Sequence, residues 1–380
     1  MNVKDKKIGI IALGKNGVEV LNKYIPSYKS TEIKTLAISY NEADLKKSEA
    51  DLFLQLAAND EPKLNILRKE QRARAHFAEI KNELLEFIKD LDWIIFYSSM
   101  GSSVYNFELN LILEEVENFQ EIKKIALLTQ PFKSEGRKVT TAQISNYIDI
   151  LIPVNNDLIF ASLIPHDTEA LQAFSIANRA MANALELIVQ LLRSNNILGD
   201  GIETIREFPT LDKVQACIGV ASINTDEVEN PINKLLNTLK DSPLLGGVNN
   251  LKNYSHIFVN LIHGPKTTIS EVKITLDELL NTFFHEDLNF TTNLSINNDF
   301  QPKRLSILLI GIKLPETTSH KTHHTKVKSM YSQSEQGAPV QLELLISNVS
   351  RGIFSSLSKN LYNSYDLDEP THHRRKMNNE

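Results

Sequence analysis

Apolar and polar positions follow two different periods along the first third of the chain. Short apolar runs predict strands at 8–13, 33–39, 93–96, 124–129 and 150–154. Apolar residues at helical spacing predict helices at 18–24, 69–91, 107–119 and 140–148. Repeated strand–helix units are typical of a parallel sheet with helices on both faces. The first third is therefore predicted to be an α/β domain.

The longest helical pattern, 168–194, is apolar nearly all round, which indicates a helix buried between layers or domains. Beyond it, a second α/β region is predicted from strands near 216–222, 256–262 and 305–312 and helices near 231–240 and 269–284. From residue 316 the composition is that of a linker. We expect an N-terminal domain at 1–167, a central helix at 168–195, a C-terminal domain at 196–315, a flexible linker at 316–364 and a C-terminal peptide at 365–380.

The composition of the 380-residue chain is that of an ordinary globular protein, with 42% hydrophobic and 23% charged residues. Its net charge of −6 does not favour nucleic-acid binding. No apolar run reaches the roughly 18–20 residues needed to cross a bilayer. The single cysteine, Cys217, excludes an intramolecular disulfide and is typical of a reducing compartment. We therefore expect a cytoplasmic protein with no nucleic-acid partner and no membrane span.

The segment 92–107 has the pattern of a phosphate-binding loop that has lost most of its glycines. An apolar strand leads into small residues around Gly101, and a helical pattern follows. Free backbone N–H groups at the start of such a helix are a usual place to hold a phosphate. The loop needs glycine to approach the ligand closely, but Val104, Tyr105 and Phe107 are bulky. The segment predicts a nucleotide-type scaffold with a weakened phosphate site.

Several motifs, taken in order, resemble FtsZ, the bacterial relative of tubulin. The segment 130–138, QPFKSEGRK, resembles the family's KPF-x-FEG motif, and 152–157, IPVNND, resembles its strand ending in IPND. The segment 173–178, AFSIAN, is similar to the start of the family's long central helix. The resemblance covers about residues 8–315 and the last dozen or so. It implies an FtsZ/tubulin-like fold with a parallel-sheet domain, a long central helix, a second α/β domain and a flexible tail.

The resemblance also implies which residues would contact a nucleotide, if any binds. The family's GGGTGTG loop begins here at Gly101, and its two threonines correspond to Val104 and Asn106. The nucleotide-binding candidates are Gly14, Gly17, Gly101, Ser102, Ser103, Glu135, Phe174 and Asn178. If the site is functional, the resemblance implies GTP and Mg²⁺ as its ligands. The sequence itself predicts no cofactor and no metal site.

At the two positions that contact the base in the family, the charge of the side chain is different in this sequence. Glu19 lies where the family has an asparagine, and Arg179 replaces the aspartate of the family's Asn-Asp pair. Guanine offers N–H donors, which a carboxylate accepts and an arginine cannot. We hypothesise that Glu19 and Arg179 form a salt bridge that fills the base pocket.

Two carboxylates are candidates for catalysis. The family completes its GTPase site with a loop from the next subunit, and Asp200 and Glu203 keep two of that loop's carboxylates. They could polarise a water beside a metal-bound phosphate. The alternative is that they only cap the segment after the central helix.

The end of the chain resembles the family's C-terminal peptide, which docks onto membrane anchors and other division proteins. Asp368, Pro370, Arg374 and Arg375 match the family's D-x-P-T-x-x-R-R pattern. The resemblance thus implies membrane-anchor or division proteins as partners of the tail.

Three functions remain open at the level of sequence. The first is a divergent FtsZ-family protein of division or the cytoskeleton, which forms or joins head-to-tail filaments with itself or a paralogous FtsZ and has weak or absent GTP binding. The second is an active GTPase with an unconventional phosphate loop. The third is an adaptor that does not polymerise.

Overall fold

The computed structural model describes most of the chain up to residue 313 and four residues near its end. The described residues are 6–25, 32–56, 66–100, 103–135, 144–165, 167–193, 195–198, 214–246, 251, 253–254, 256–283, 289–298, 301–313, 361–362 and 365–366. The chain divides into one compact unit at Met1–Thr318 and a second at Ser319–Glu380. The site described below lies wholly in the first unit.

The N-terminal half consists of strand–helix units, as its apolar pattern predicts. Its strands are β1 (Ile8–Leu13), β2 (Ile33–Ser39), β3 (Leu52–Gln55), β4 (Trp93–Ser99), β5 (Lys123–Gln130) and β6 (Ile150–Asn155). Its helices are α1 (Gly14–Tyr24), α2 (Glu42–Leu45), α3 (Ile66–Ile88), α4 (Ser103–Val116) and α5 (Asn156–Leu163). Neighbouring strands from β3 to β6 all pair in parallel. Continuous apolar runs identified the main strands because a parallel sheet is buried on both faces.

Two details of this half differ from the sequence prediction. The described part of the predicted helix 140–148 is a single 3-10 turn, Ile144–Asn146, so that prediction is wrong there. Tyr147 N–H donates to the Ile144 carbonyl, and β6 begins only three residues later, at Ile150, which leaves no room for a further helical turn. Helix α5 was not predicted; its N-cap is Asn155, whose side chain accepts the Asp157 N–H.

A long central helix, α6 (Ala170–Arg193), follows, as predicted from its apolar surface. One hydrophobic cluster includes its buried side chains together with those of the N-terminal strands and of strands later in the chain. Glu186 of α6 is also buried and forms a bidentate ion pair with Arg304, with oxygen–nitrogen distances of 3.2 and 3.0 Å. The helix is therefore fixed to the second half of the molecule by packing and by charge.

The second half continues the same sheet. It contains β7 (Asn195–Leu198), β8 (Val214–Asn224), α7 (Pro231–Lys240), β9 (His256–His263), α8 (Ile269–Phe283), β10 (Asn289–Ile296) and β11 (Arg304–Lys313). The sheet has eleven strands in the order β3-β2-β1-β4-β5-β6-β8-β11-β9-β10-β7. The two halves join where β6 pairs with β8 through two residue pairs. The second unit contributes a short antiparallel pair, β12 (Leu361–Tyr362) and β13 (Tyr365–Asp366).

Candidate functional site

A cavity of about 670 Å³ lies at the carboxyl ends of the parallel strands, between α1 on one side and α5 and α6 on the other. This edge of an α/β sheet is the usual place for a ligand. The residues that line the cavity are Lys15, Asn16, Glu19, Asn22, Lys23, Tyr97, Ser99, Thr129, Phe132, Glu135, Asn156, Ile159, Phe160, Leu171, Phe174, Ser175, Ala177, Asn178 and Met181.

Helix α1 begins at the cavity through a glycine-dependent turn. Gly14 has a φ of 74°, a conformation that other residues rarely adopt. A Cβ on Gly17 would lie 3.0 Å from the Ala12 carbonyl carbon, so this helix passes very close to the end of β1. The N-cap residue, Leu13, provides no side-chain hydrogen bond to the first-turn N–H groups. The turn therefore leaves the positive end of the helix dipole without a side-chain cap, beside cavity residues Lys15 and Asn16.

Polar contacts between α1 and α6 form one wall. Asn178 Nδ2 donates to Glu19 Oε2 at 2.8 Å, and Lys23 Nζ donates to Ser175 Oγ at 3.1 Å. Glu19 Oε1 also lies 3.9 Å from Lys15 Nζ. The Glu19 carboxylate is thus held at the wall but remains partly accessible, with 45% of its side chain exposed.

The hypothesised Glu19–Arg179 salt bridge is wrong. Both residues are described; Glu19 pairs with Asn178 and Lys15, while Arg179 is exposed, forms no ion pair with Glu19 and is not among the lining residues. Consecutive residues of a helix point about 100° apart. Since Asn178 faces α1, its neighbour is turned away, so Arg179 does not fill the base pocket.

The adjoining wall is aromatic. The rings of Phe132 and Phe160 are 4.8 Å apart at 82°, and those of Phe160 and Phe174 are 5.2 Å apart at 69°. These are edge-to-face contacts, a preferred arrangement for aromatic pairs. Phe174 lines the cavity and is 49% exposed, so part of its ring is open to a ligand.

The floor is formed by polar groups at the ends of β4 and β5. Asn16 Nδ2 donates to the Tyr97 hydroxyl at 3.3 Å, and burial raises the pKa of that phenol well above its usual range. The Thr129 hydroxyl is buried and makes no hydrogen bond of normal geometry within the described part of the chain. The floor therefore presents neutral hydroxyl groups.

Sequence comparison finds relatives of low identity that extend over most of the chain. No protein-family model matches. The cell division protein FtsZ of Buchnera aphidicola (subsp. Acyrthosiphon pisum) is 22% identical over 316 residues, which is 81% of this chain and 79% of the relative. The mitochondrial division protein fszB of Dictyostelium discoideum is 21% identical over 285 residues, covering 72% and 75% of the two chains.

Solved structures show the same fold. An empty FtsZ dimer from M. jannaschii matches with a TM-score of 0.63 at 16% identity, covering 86% of this chain and 96% of its own. CetZ2 from Haloferax volcanii, solved as a GTPγS-bound protofilament, matches with a TM-score of 0.59 at 12% identity, covering 82% and 94%. The chain therefore has the fold of the FtsZ and CetZ structures and a weak sequence similarity to FtsZ. The predicted fold class is confirmed by these matches.

In this FtsZ-like chain, six of the predicted site residues lie at or beside the cavity: Gly14, Gly17, Glu19, Glu135, Phe174 and Asn178. Ser103 is the first residue of α4, and nothing is described of its side chain. Gly101, Ser102, Asp200, Glu203, Asp368, Pro370, Arg374 and Arg375 lie outside the described residues. The functional roles of all these residues remain predictions.

Several cavity residues were missed from the sequence. Lys15 and Asn16 lie between Gly14 and Gly17, so the glycine-rich turn could have indicated them. Tyr97 is close to the end of an apolar strand, which is the signal of a ligand-facing edge. Phe160 gave no such signal, because α5 itself was not predicted.

The described lining fits a triphosphate poorly. It carries two basic side chains, Lys15 and Lys23, and two acidic ones, Glu19 and Glu135, so its formal charge is balanced. Both lysines already contact protein groups, at Glu19 and Ser175. A highly charged anion would gain little net attraction from such a lining.

Within the described residues, no group of three or more His, Cys, Asp and Glu side chains is placed to hold a metal ion. The described helices also include none long and apolar enough to cross a membrane.

Proposed function

We propose that this chain is a cell-division or cytoskeletal FtsZ-like protein that assembles head to tail, with itself or with a paralogous FtsZ, and that its assembly depends little on GTP. The observation that carries the proposal is the charge-balanced cavity, in which Glu19 occupies the base-contacting wall. Beside the cavity, α6 is tied to both halves of the sheet by packing and by its ion pair with Arg304.

Head-to-tail assembly is supported by the nature of the relatives. The matched FtsZ from M. jannaschii is a dimer, and the matched CetZ2 is a protofilament. In a family-like filament, Asp200 and Glu203 of one subunit would face the cavity edge of the next. We propose that these carboxylates contribute to the contact whether or not they contribute to catalysis.

The test is assembly of the full chain, measured by sedimentation and electron microscopy with GTP and magnesium, with GDP, and with EDTA. We expect the same filaments in all three conditions, with pelleted fractions equal within about twofold. Asp200→Lys should reduce assembly, because it reverses a charge at the proposed contact. Asp90→Lys is the matched control, since Asp90 is exposed just before β4 begins, at the opposite edge of the sheet from the cavity.

Two other outcomes would contradict the proposal. Filaments that form only with GTP would identify a nucleotide-driven polymer. A chain that stays monomeric at all concentrations, alone and with a paralogous FtsZ, would identify a non-polymerising adaptor.

An active GTPase is the second candidate, because the cavity retains about 670 Å³ and the glycine turn at Gly14. If it is correct, calorimetry with magnesium should show GTP binding tighter than about 10 µM, roughly −7 kcal/mol. Phosphate release should then fall at least tenfold in Asp200→Asn and in Glu203→Gln. Equal, background-level release by all three proteins would exclude this candidate.

We also propose that the predicted divisions of the chain hold, with the N-terminal domain at 1–167, the central helix at 168–195, the C-terminal domain at 196–315 and the linker at 316–364. The peptide 365–380 would then contact membrane anchors or other division proteins through Asp368, Pro370, Arg374 and Arg375. Deleting 365–380 should leave filament formation unchanged and remove recruitment to the division site in cells. Loss of assembly on deletion would contradict this assignment.

A further inference from the structure

A second cavity, of about 620 Å³, lies between α6 and α7, and the end of β8 lies between the two helices. Ala180 and Asn183 of α6 line it, whereas Asn178 and Met181 of the same helix line the first cavity. Residues two apart on a helix point about 200° apart. The two cavities therefore lie on opposite sides of α6, and the second has no part in the proposed function.

The innermost lining residues of this second cavity are apolar. They include the buried side chains of Leu187, Ala221 and Leu244, which come from α6, β8 and the segment after α7. Among the described lining residues none is aromatic, so a flat heterocycle would find no ring to stack on. An aliphatic side chain, by contrast, would be removed from water on this floor.

The rim of the cavity is rich in side-chain amides. Asn230, Asn233 and Asn237 are spaced three and four residues apart, so they lie along one face of α7. Asn183 lines the same cavity from α6 and is exposed, whereas the other residues of 181–192 are buried. Within the described part of the chain, none of these four amides makes a side-chain hydrogen bond. Their donors and acceptors are therefore open to a ligand.

The amides on α7 are not explained by the helix itself. Asparagine has a lower helix propensity than lysine, glutamate or alanine, which are better suited to the exposed positions 233 and 237. At the start of the helix, Asn230 has a φ of 51°, and its side chain makes no capping hydrogen bond. A ligand that bonds to the amides would account for their presence.

A row of amides matches the backbone of a peptide. A primary amide has both donors and an acceptor, so it can bond to either the N–H or the C=O group of an extended chain. From Asn230 to Asp241 the groove follows about 16 Å of helix. That is the length of about five residues of extended chain, in which alternate side chains point to the same face. Aliphatic side chains at every second position could therefore enter the apolar floor.

The charge of the rim indicates what the ends of such a peptide carry. Glu229 lies beside the start of the amide row and Asp241 at its end, and Lys234 is the one basic residue of the described lining. The loop 225–230, which leads into α7, contains three carboxylates and no basic residue. Basic side chains near the ends of the peptide would complement these carboxylates.

We propose that the groove between α6 and α7 binds an extended peptide segment of a partner protein, with aliphatic side chains at alternate positions and a basic side chain near each end. The asparagines of the rim bond to its backbone, the apolar floor covers its aliphatic side chains, and Glu229 and Asp241 pair with its ends. The inference goes beyond the proposed function and does not depend on it, because no residue of the first cavity takes part.

The experiment is calorimetry on the full chain with three capped hexapeptides, KLSLSK, ELSLSE and KGSGSK. We expect KLSLSK to bind about tenfold more tightly than either of the others, because it alone has both the basic ends and the aliphatic side chains. Raising the salt concentration should weaken its binding, since the paired charges are exposed. No binding of KLSLSK at about 1 mM, or binding of either comparison peptide as tight as that of KLSLSK, would overturn the proposal.

A double variant, Asn233→Ala with Asn237→Ala, tests the amide row. The loss of two hydrogen bonds should weaken the binding of KLSLSK about tenfold. Its Tm should not fall, because alanine favours a helix more than asparagine does, so weaker binding could not be attributed to unfolding. Asn281→Ala is the matched control; that asparagine is exposed on α8 and outside the described lining, so affinity should change less than about twofold. Unchanged affinity in the double variant, or an equal loss in the control, would overturn the assignment.

Discussion

The ion pair between Glu186 and Arg304 should contribute measurably to stability, and its removal is the most direct test of how α6 is held. Two oxygen–nitrogen contacts of 3.2 and 3.0 Å join the two side chains, which are 9% and 24% exposed. At about 3 Å and an effective dielectric constant of about 20, the attraction is on the order of 5 kcal/mol. Desolvation of the two ions offsets much of it.

Removing one partner leaves the other charge buried without that compensation. For fully buried pairs the cost is about 3–5 kcal/mol. Arg304 is about a quarter exposed, so we expect about 2–3 kcal/mol for Arg304→Met. Domains of about 150–250 residues lose about 2–4 °C of Tm per kcal/mol, so Tm should fall by roughly 4–12 °C.

The assay is urea unfolding and thermal unfolding of Arg304→Met, Glu186→Gln and the double variant. The double variant should lose less than the sum of the two single losses, because neither charge is then left alone. Lys46→Met is the matched control; its ion pair with Glu42 has a distance of 2.7 Å but its side chains are 70% and 61% exposed, so the loss should be below about 0.5 kcal/mol. A loss for Arg304→Met as small as for Lys46→Met would refute the reasoning.

Three further predictions concern single positions. Gly264→Ala should lower the free energy of unfolding by more than about 2 kcal/mol in urea titrations, because the added Cβ would lie 2.3 Å from the Gln301 carbonyl oxygen; a loss below about 0.5 kcal/mol would contradict this. Burial lowers the pKa of His256 to about 4, so the unfolded state binds more protons and stability should decrease as the pH falls from about 6.5 towards 4. His256→Gln should reduce the difference between the urea midpoints at pH 7 and pH 5, and an unchanged difference would assign it to other groups. Asn178→Asp would replace the donor that lies 2.8 Å from Glu19 with a second carboxylate, so it should destabilise the protein at pH 7 and less so at pH 5, relative to wild type at each pH.

The apolar pattern predicted most of the fold because burial in a parallel sheet leaves a direct trace in sequence. Strand β1 was predicted at 8–13 and lies at Ile8–Leu13, and the central helix predicted at 168–194 lies at Ala170–Arg193. The missed elements are short or bounded by polar residues. Strand β3 has only four residues, at the edge of the sheet, and so short an apolar run does not separate a strand from a helix by its period.

The candidate site was less predictable, because a cavity wall combines residues from distant parts of the chain. Glu19 and Asn178 are 159 residues apart in sequence, and no local pattern indicates that they share a hydrogen bond. The aromatic wall likewise needs Phe132, Phe160 and Phe174 to meet from three different segments. Short motifs did indicate the glycine turn at Gly14 and the cavity residues Glu135, Phe174 and Asn178, but not the contacts between them.

The Glu19–Asn178 pair shows that the charge of the pocket does not follow from the residue at position 179 alone. By position, the carboxylate that could accept guanine's donors is lost, because an arginine replaces it on α6. In space, Arg179 points away from the cavity and a carboxylate enters it from α1 instead. Recognition depends on the groups that face the ligand rather than on the element that supplies them. We therefore expect that the change at Arg179 does not by itself decide whether a base binds, because that side chain lies outside the described lining.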